Sequence, residues 1–342
     1  GTRFCCRLEV RQPTPTPFAS ALTGPMAISL VAGPSAYEEF TQIHAAVSDG
    51  ICTVSLNRPR LRNAFSRIMT NEVDRAFQAA CDDPAVRVII LRGEGDHFCS
   101  GHDLGSESHI ADLRSKSYES MGYPGPSGDY KKWSDLDVEM CLRWRQLSKP
   151  LLCGVKGFTI YHGCAVMSCA DIVIAAEDSR IMPSLVEYSA LSWDLALNTR
   201  KAKEIMMLQR FILAEEAEEL GLVNRVVPAA RLDAELRAMA LTIGRADHFH
   251  LRMMKLTANQ AQDSAGMTQH LRASLSNWTA YRWNWTEEGN RAGDGAKLTA
   301  DHGGSTKRLA PVADALAEEV MYWSETAAVA AKARRRGVRA KL

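Results

Sequence analysis

The chain predicts an α/β fold built on a largely parallel sheet. Two observations carry this. Continuous apolar runs of five or six residues recur as buried strands, and amphipathic or small-residue helical stretches separate them. A third observation is the unit Lys149 to Asp178, whose strand, turn, helix and second strand form a βαβ-like crossover.

Residues 1–35 read as a flexible extension; Pro13, Pro15, Pro17 and Pro25 stand among polar and small residues, and Met26 is an alternative start. Ile51 to Leu56 reads as the first strand, stopped by Pro59. Ser66 to Cys81 follows as an amphipathic helix with Ile68, Met69, Val73, Phe77 and Cys81 on one face and Ser66 at its N-cap. Val86 to Leu91 is a buried strand. The β, α, β alternation argues for parallel pairing.

Glycines 93, 95 and 101 let the next segment, GEGDHFCSGHDL, bend sharply. Residues 105–135 are polar and too long for a plain connector, so they read as a binding lid or an insertion. Leu136 to Leu147 is helical. Strands at Leu151–Val155 and Ile172–Ala176 flank a helix over Cys164–Ala170 that Tyr161-His162-Gly163 opens. Free N–H groups at such a helix start suit developing negative charge, although an ordinary buried crossover would look the same.

Further on, helices are expected at 199–208, 214–220, 231–243, 250–262 and 271–283, with a short strand at 223–227. The organisation expected is an extension to residue 35, a core over 36–230, a helical region over 231–285, then a linker and tail helix over 286–342 ending in a basic, solvated stretch.

Composition excludes several classes. With 342 residues, 46% hydrophobic and 24% charged, the chain has the make-up of a soluble globular protein. Lys plus Arg is 41 against 40 for Asp plus Glu, so no bulk charge points to nucleic acid or an anionic membrane. No apolar run approaches the roughly 20 residues of a membrane span. Nine cysteines without CxxC pairs, several inside apolar runs, predict free thiols in a reducing, cytoplasmic setting. Nine histidines without HExxH-type spacing leave no metal site expected from spacing. GEGDHF is not the GxGxxG of a dinucleotide-binding dehydrogenase.

Two turns stand out, Ser100-Gly101-His102-Asp103 and Tyr161-His162-Gly163, each after a predicted strand. In a parallel sheet such turns share the end where ligands bind, and two N–H groups meeting there would hold an oxyanion. Seven collinear segments across residues 44–262 resemble the crotonase superfamily, the enoyl-CoA hydratase/isomerase proteins. They are NRPRLRNAF, RVIILRGEG with HFCSGHDL, KPLLCGVKGF, CADIVIAAEDSRI, RKAKEIMML, AEEAEELGLVNRVVP and MMKLTANQ.

The resemblance implies a crotonase-like spiral of ββα repeats, a helical C-terminal region that forms a homotrimer or hexamer, and an acyl-CoA thioester ligand. Coenzyme A is then the substrate carrier, with no permanently bound cofactor. It also implies oxyanion donors on the backbone N–H groups of His102 and His162. CoA would be gripped by His102, Asp103, Leu104 and Gly105 and by Arg60 and Arg62, with His162 and Gly163 also counted among the substrate-binding residues.

The family's two hydratase glutamates are absent. Ala165 stands at the first position, and the second aligns near Leu185. Glu187, Tyr188 and Asp194 are candidate replacements, each set against a surface or packing role, and His162 could act as acid or base. Tyr161 is a lesser candidate of the same kind. Asp103 reads as a structural cap and Cys164 as a buried thiol rather than a nucleophile. The reading is an enzyme that acts on an acyl-CoA thioester by stabilising its enolate, in hydration, isomerisation, C–C hydrolysis or decarboxylation. The alternative is a catalytically silent CoA-binding or assembly protein.

Overall fold

The computed structural model describes residues 37, 39–115, 120–183, 199–291 and 324. Among the described residues, nine strands fall in two sheets. The larger runs in the order β1 (Ile43–Ser48), β2 (Ile51–Leu56), β3 (Val88–Gly93), β4 (Leu151–Val155), β6 (Ile172–Ala176), β9 (Arg225–Val227). All its neighbours pair in parallel except β1 with β2, a hairpin whose Asp49-Gly50 turn takes positive φ at both residues. The smaller sheet comprises β5 (Phe158–Ile160), β7 (Arg180–Met182) and β8 (Ile212–Leu213).

The strands read as unbroken apolar runs are the ones buried on both faces. Ile89, Leu91, Leu151, Cys153, Val155 and Ala175 fill one side with helix α1 (Arg67–Asp82), while Val88, Ile90, Leu152 and Ile174 meet Leu232, Leu236 and Ala240 on the other. Helix α1 starts where its N-cap was expected: Ser66 Oγ accepts from Met69 N–H at 3.1 Å. Its carboxyl end is closed by Lys149, which is buried and donates from Nζ to the carbonyls of Ala80 and Asp83.

Strand β3 begins two residues later than expected. Val86 is fully buried yet turns back toward Asp83, so its hydrophobicity serves the α1–β3 turn and not a ladder. The polar stretch expected as a lid contains two helices, α2 (Glu107–Ser115) and α3 (Pro126–Trp133). A π-helical turn over Ser134–Glu139 follows, and then α4 (Met140–Arg145). Helix α5 spans His162–Met167, opening two residues before the expected start; α6 (Thr199–Leu208) and α7 (Ala214–Leu220) lie where the sequence places them.

The C-terminal helices are α8 (Leu232–Ile243), α9 (His248–Ser264) and α10 (Met267–Arg291), the last running eight residues past the Trp283 end expected for it. Buried Arg145 ties α4 to α9 through Asp263, the carbonyl of Asn259 and Gln262. No helix among the described residues is long and apolar enough to cross a membrane. The expected extension over 1–35 and most of the tail over 286–342 lie outside the described residues.

Candidate active site

At the carboxyl ends of the parallel strands, the loops after β2, β3 and β4 come together, the place where open α/β sheets bind ligands. Asn63, buried and left-handed at φ 54, fastens the first two. Its Oδ1 accepts from Arg58 N–H, and its Nδ2 donates to the carbonyls of Glu94 and His97. Arg58 then reaches Asp103 at 2.8 Å, Ser106 and the carbonyl of Ala64. Asp103 accepts from the N–H groups of Gly105 and Ser106, which fixes the approach to α2. Burial opposes ionisation of Asp103, but the Ser106 and Arg58 contacts outweigh it and hold the carboxyl below its usual value.

The loop after β3 is knitted to both neighbours. Cys99 pairs with Thr159 of β5, and His102 forms a parallel bridge with Phe65. In that bridge Phe65 N–H donates to the Gly101 carbonyl and Asp103 N–H donates to the Phe65 carbonyl, both at 2.8 Å. The peptide groups of His102 itself therefore face the opposite side of the strand, away from Phe65.

Each turn's glycine faces the other turn. Gly101 sits at φ 103, and a Cβ there would lie 3.3 Å from the Ile160 carbonyl and 3.4 Å from Tyr161 Cβ. A Cβ on Gly163 would come within 2.9 Å of both Cβ and the carbonyl oxygen of Cys99. Between them Tyr161 adopts φ 49, ψ −114, a region that non-glycine residues rarely enter. This kink begins α5 at His162, whose N–H, in the first turn, has no acceptor within the helix.

The side chains of the two histidines also meet. The His102 and His162 rings stack with centroids 4.2 Å apart and planes 21° from parallel. Beside both rings stands Asp137 of the π turn, buried, with Oδ1 at 3.7 Å from His102 Nε2 and 3.4 Å from His162 Nδ1. Trp133 abuts the His102 ring edge-on, and Phe65 does the same to His162. Burial, with His102 adding to it, holds the His162 imidazole well below its usual protonation range. Neither ring nitrogen of His162 makes a hydrogen bond among the described residues; the Asp137 approach has the distance of an ion pair without hydrogen-bond alignment.

Of the residues singled out in the sequence, His102, Asp103, His162 and Gly163 are brought together. Leu104 and Gly105 are exposed at the rim, as are Arg60 and Arg62 on the loop after β2. The Arg62 guanidinium lies 5.8 Å from the Phe158 ring centroid, with Arg180 at 5.9 Å from the same ring. Glu187, Tyr188 and Asp194 lie outside the described residues. Cys164 is buried, and the neighbouring Cys99 thiol is pushed up to about 12 by burial, so Cys99 offers no ready thiolate.

Asp137 was not singled out from sequence. Its signal was a carboxylate at a buried phase of its helix: Trp133, Asp137, Met140 and Trp144 recur at three- and four-residue spacing. Ala165, at the family's first glutamate position, packs against an apolar cluster of Val138, Met267, Leu271, Leu275 and Trp278. A cavity of about 500 Å³ lies near Pro150, Asp171 and Lys255. It adjoins the amino ends of β4 and β6, so the strand ends that carry the paired turns point away from it.

Fold and site together define a crotonase-fold protein with paired turns above a parallel sheet. The enoyl-CoA hydratase/isomerase family model matches residues 46–284, and the chain belongs to that family. It is 31% identical over 293 residues to EchA13 of Mycobacterium tuberculosis, an enoyl-CoA hydratase by name, covering 80% of this chain and 90% of that protein. A Mycobacterium smegmatis crystal structure described as a probable enoyl-CoA hydratase superposes with TM-score 0.65 at 31% identity, over 72% of this chain and 97% of the other. An enoyl-CoA hydratase/isomerase from Xanthobacter autotrophicus Py2 does so with TM-score 0.64 at 27% identity, over 78% and 98%. At the level of the family, this is the fold of lyase- and isomerase-type enzymes that handle CoA thioesters.

Proposed function

We propose that the protein processes an acyl-CoA thioester, holding the thioester oxygen with the backbone N–H groups of His102 and His162 as negative charge develops there. The observation that supports this most is the interlocking of the two turns, with the His102 peptide turned away from Phe65 and His162 opening a helix. Arg60 and Arg62 lie on the exposed rim where a nucleotide phosphate would approach, and Leu104 and Gly105 border the same approach.

The acid–base work that two glutamates do elsewhere in the family falls, in this reading, to the group formed by His102, Asp137 and His162. It is the buried polar cluster next to the turns, whereas Ala165 is walled in by apolar side chains. A catalytically silent CoA-binding protein is the second reading, and the apolar setting of Ala165 favours it.

A panel of enoyl-, β-keto- and malonyl-type CoA thioesters decides between them, with binding followed by calorimetry and turnover by absorbance. Turnover of one of these, lost in Gly101→Val and reduced about a hundredfold in Asp137→Asn, is the expected result. Binding without turnover across the panel selects the silent reading, and absence of binding overturns both.

A further inference from the structure

We propose that the Tyr161 ring sets the acyl specificity of the thioester site, favouring groups that are flat and conjugated at the carbon next to the carbonyl over groups branched there. The inference rests on the proposed thioester binding and names the acyl class it would take.

Placement is the first reason. The peptide joining Tyr161 to His162 carries one proposed donor, and the peptide joining Gly101 to His102 carries the other. Tyr161 and Gly101 lie against each other: a Cβ on Gly101 would stand 3.4 Å from Tyr161 Cβ and 3.7 Å from its Cδ2. The side chain is therefore rooted where the two turns meet. An oxygen held by both N–H groups, about 3 Å from each nitrogen, stands close to it, and so do the atoms bonded to that carbonyl.

Exposure is the second. Of the turn residues, Gly101, Asp103, His162 and Gly163 are buried, and Ser100 and His102 are half-buried. Tyr161 is 41% exposed, so its side chain is the one an incoming ligand meets. The other rings nearby are engaged with each other: Trp133 abuts His102 edge-on and Phe65 does the same to His162.

Conformation is the third. The backbone at Tyr161, φ 49 and ψ −114, matches a turn position that glycine occupies freely. Main-chain bonds already fix it: Tyr161 N–H donates to the Met182 carbonyl, and the Tyr161 carbonyl accepts from Cys164 N–H, both at 2.8 Å. The turn needs no side chain here. An exposed ring kept at a conformational cost is the kind of strain that clusters at ligand clamps.

The ring's chemistry names the ligand. A phenol ring takes a second π system in offset or edge-to-face contact, a gain of roughly two- to tenfold in affinity beyond the area buried. It is also rigid, so a tetrahedral carbon bearing a branch beside the carbonyl projects a methyl group toward it, whereas a planar acyl group lies flat.

Calorimetry on the full chain tests this with benzoyl-CoA and isobutyryl-CoA. Neither has an isolated double bond to hydrate, and the coenzyme part is common to both, so it cancels in the ratio of their dissociation constants. The wild type should prefer benzoyl-CoA by about fivefold or more. Tyr161→Phe should keep that preference, because the ring remains, and Tyr161→Gly should shrink it at least about threefold. Should Tyr161→Gly fail to fold, Tyr161→Asn, which also tolerates positive φ, is read in its place. A smaller wild-type preference, a smaller change in the ring-deleted variant, or loss of the preference in Tyr161→Phe overturns the inference while thioester binding stands. A wild type that binds neither thioester overturns the proposed function, and this inference with it.

Discussion

Tyr161 carries a side chain where the backbone asks for none. At φ 49 it bears a conformational cost of about 1–3 kcal/mol, and the residue is 41% exposed. Tyr161→Gly should therefore stabilise the protein by about 1 kcal/mol after the extra unfolded-state entropy of glycine is subtracted. Urea unfolding at constant m-value measures it, and an unchanged or lower midpoint would contradict the strain argument. Gly163 is the opposite case. An alanine methyl would overlap the Cβ and carbonyl of Cys99, neither of which is the free end of a flexible chain. Gly163→Ala should cost about 1–3 kcal/mol and separate the two turns, read as a loss of both thermal stability and thioester binding.

At the scale of elements, Lys149 joins the start of β4 to the end of α1, its ammonium satisfying two carbonyls at the negative end of the helix dipole. Lys149→Met should leave those carbonyls unpaired and destabilise by about 1–3 kcal/mol. Desolvation lowers the lysine's pKa from 10.5 in the fold, against the pull of Cys81 and Asp83. The folded chain then releases this proton before the unfolded chain does. The contribution of Lys149 is therefore least favourable below its folded pKa and grows as pH rises toward about 10.5. The gap in unfolding free energy between wild type and Lys149→Met should widen from pH 8 to pH 10; a narrowing gap would reverse the sign assigned here.

The elements legible in the sequence were those whose burial is two-sided or strictly periodic. β2, β4, β6, α6 and α7 fall on their expected bounds because long apolar runs and clear stops define them. β5, β7 and β8 have two or three residues each, too short for any period to register, and exist because loops at the strand ends pair with one another. Helices α2 and α3 lie in polar sequence with weak amphipathic patterning, and what orders the start of α2 is the Asp103 and Ser106 contact rather than an apolar stripe. In the candidate site, His102 and His162 were legible through the glycine turns. Asp137 was not, because it sits 35 residues after one histidine and 25 before the other on a separate helix, and only the tertiary fold makes them neighbours.

At the scale of the molecule, the C-terminal helices are held to the sheet layer by a few buried anchors. Arg145 is the most connected of those described, contacting Asp263, Asn259 and Gln262 of α9 from a position 6% exposed. Arg145→Met should leave Asp263 and the Asn259 carbonyl short of partners and loosen α9 and α10 by about 3 kcal/mol. Limited proteolysis between α8 and α9 should quicken in the variant while the sheet stays protected from hydrogen exchange; uniform exchange across the chain would show that the helices and sheet unfold as one unit. Because Met267, Leu271 and Trp278 of α10 also form the apolar wall around Ala165 and Val138, loosening the helix should lower thioester turnover as well.

The π turn over Ser134–Glu139 carries a last consequence. Such a turn is an α-helix with one surplus residue. Deleting a single codon within it would restore regular winding and swing Asp137 by about 100° around the axis, withdrawing its carboxylate from beside the imidazoles. The flanking helices would keep their phase. Cousins of this chain differing by that one-residue indel would share its architecture and part company in reactivity, a toggle that counts of substitutions never register.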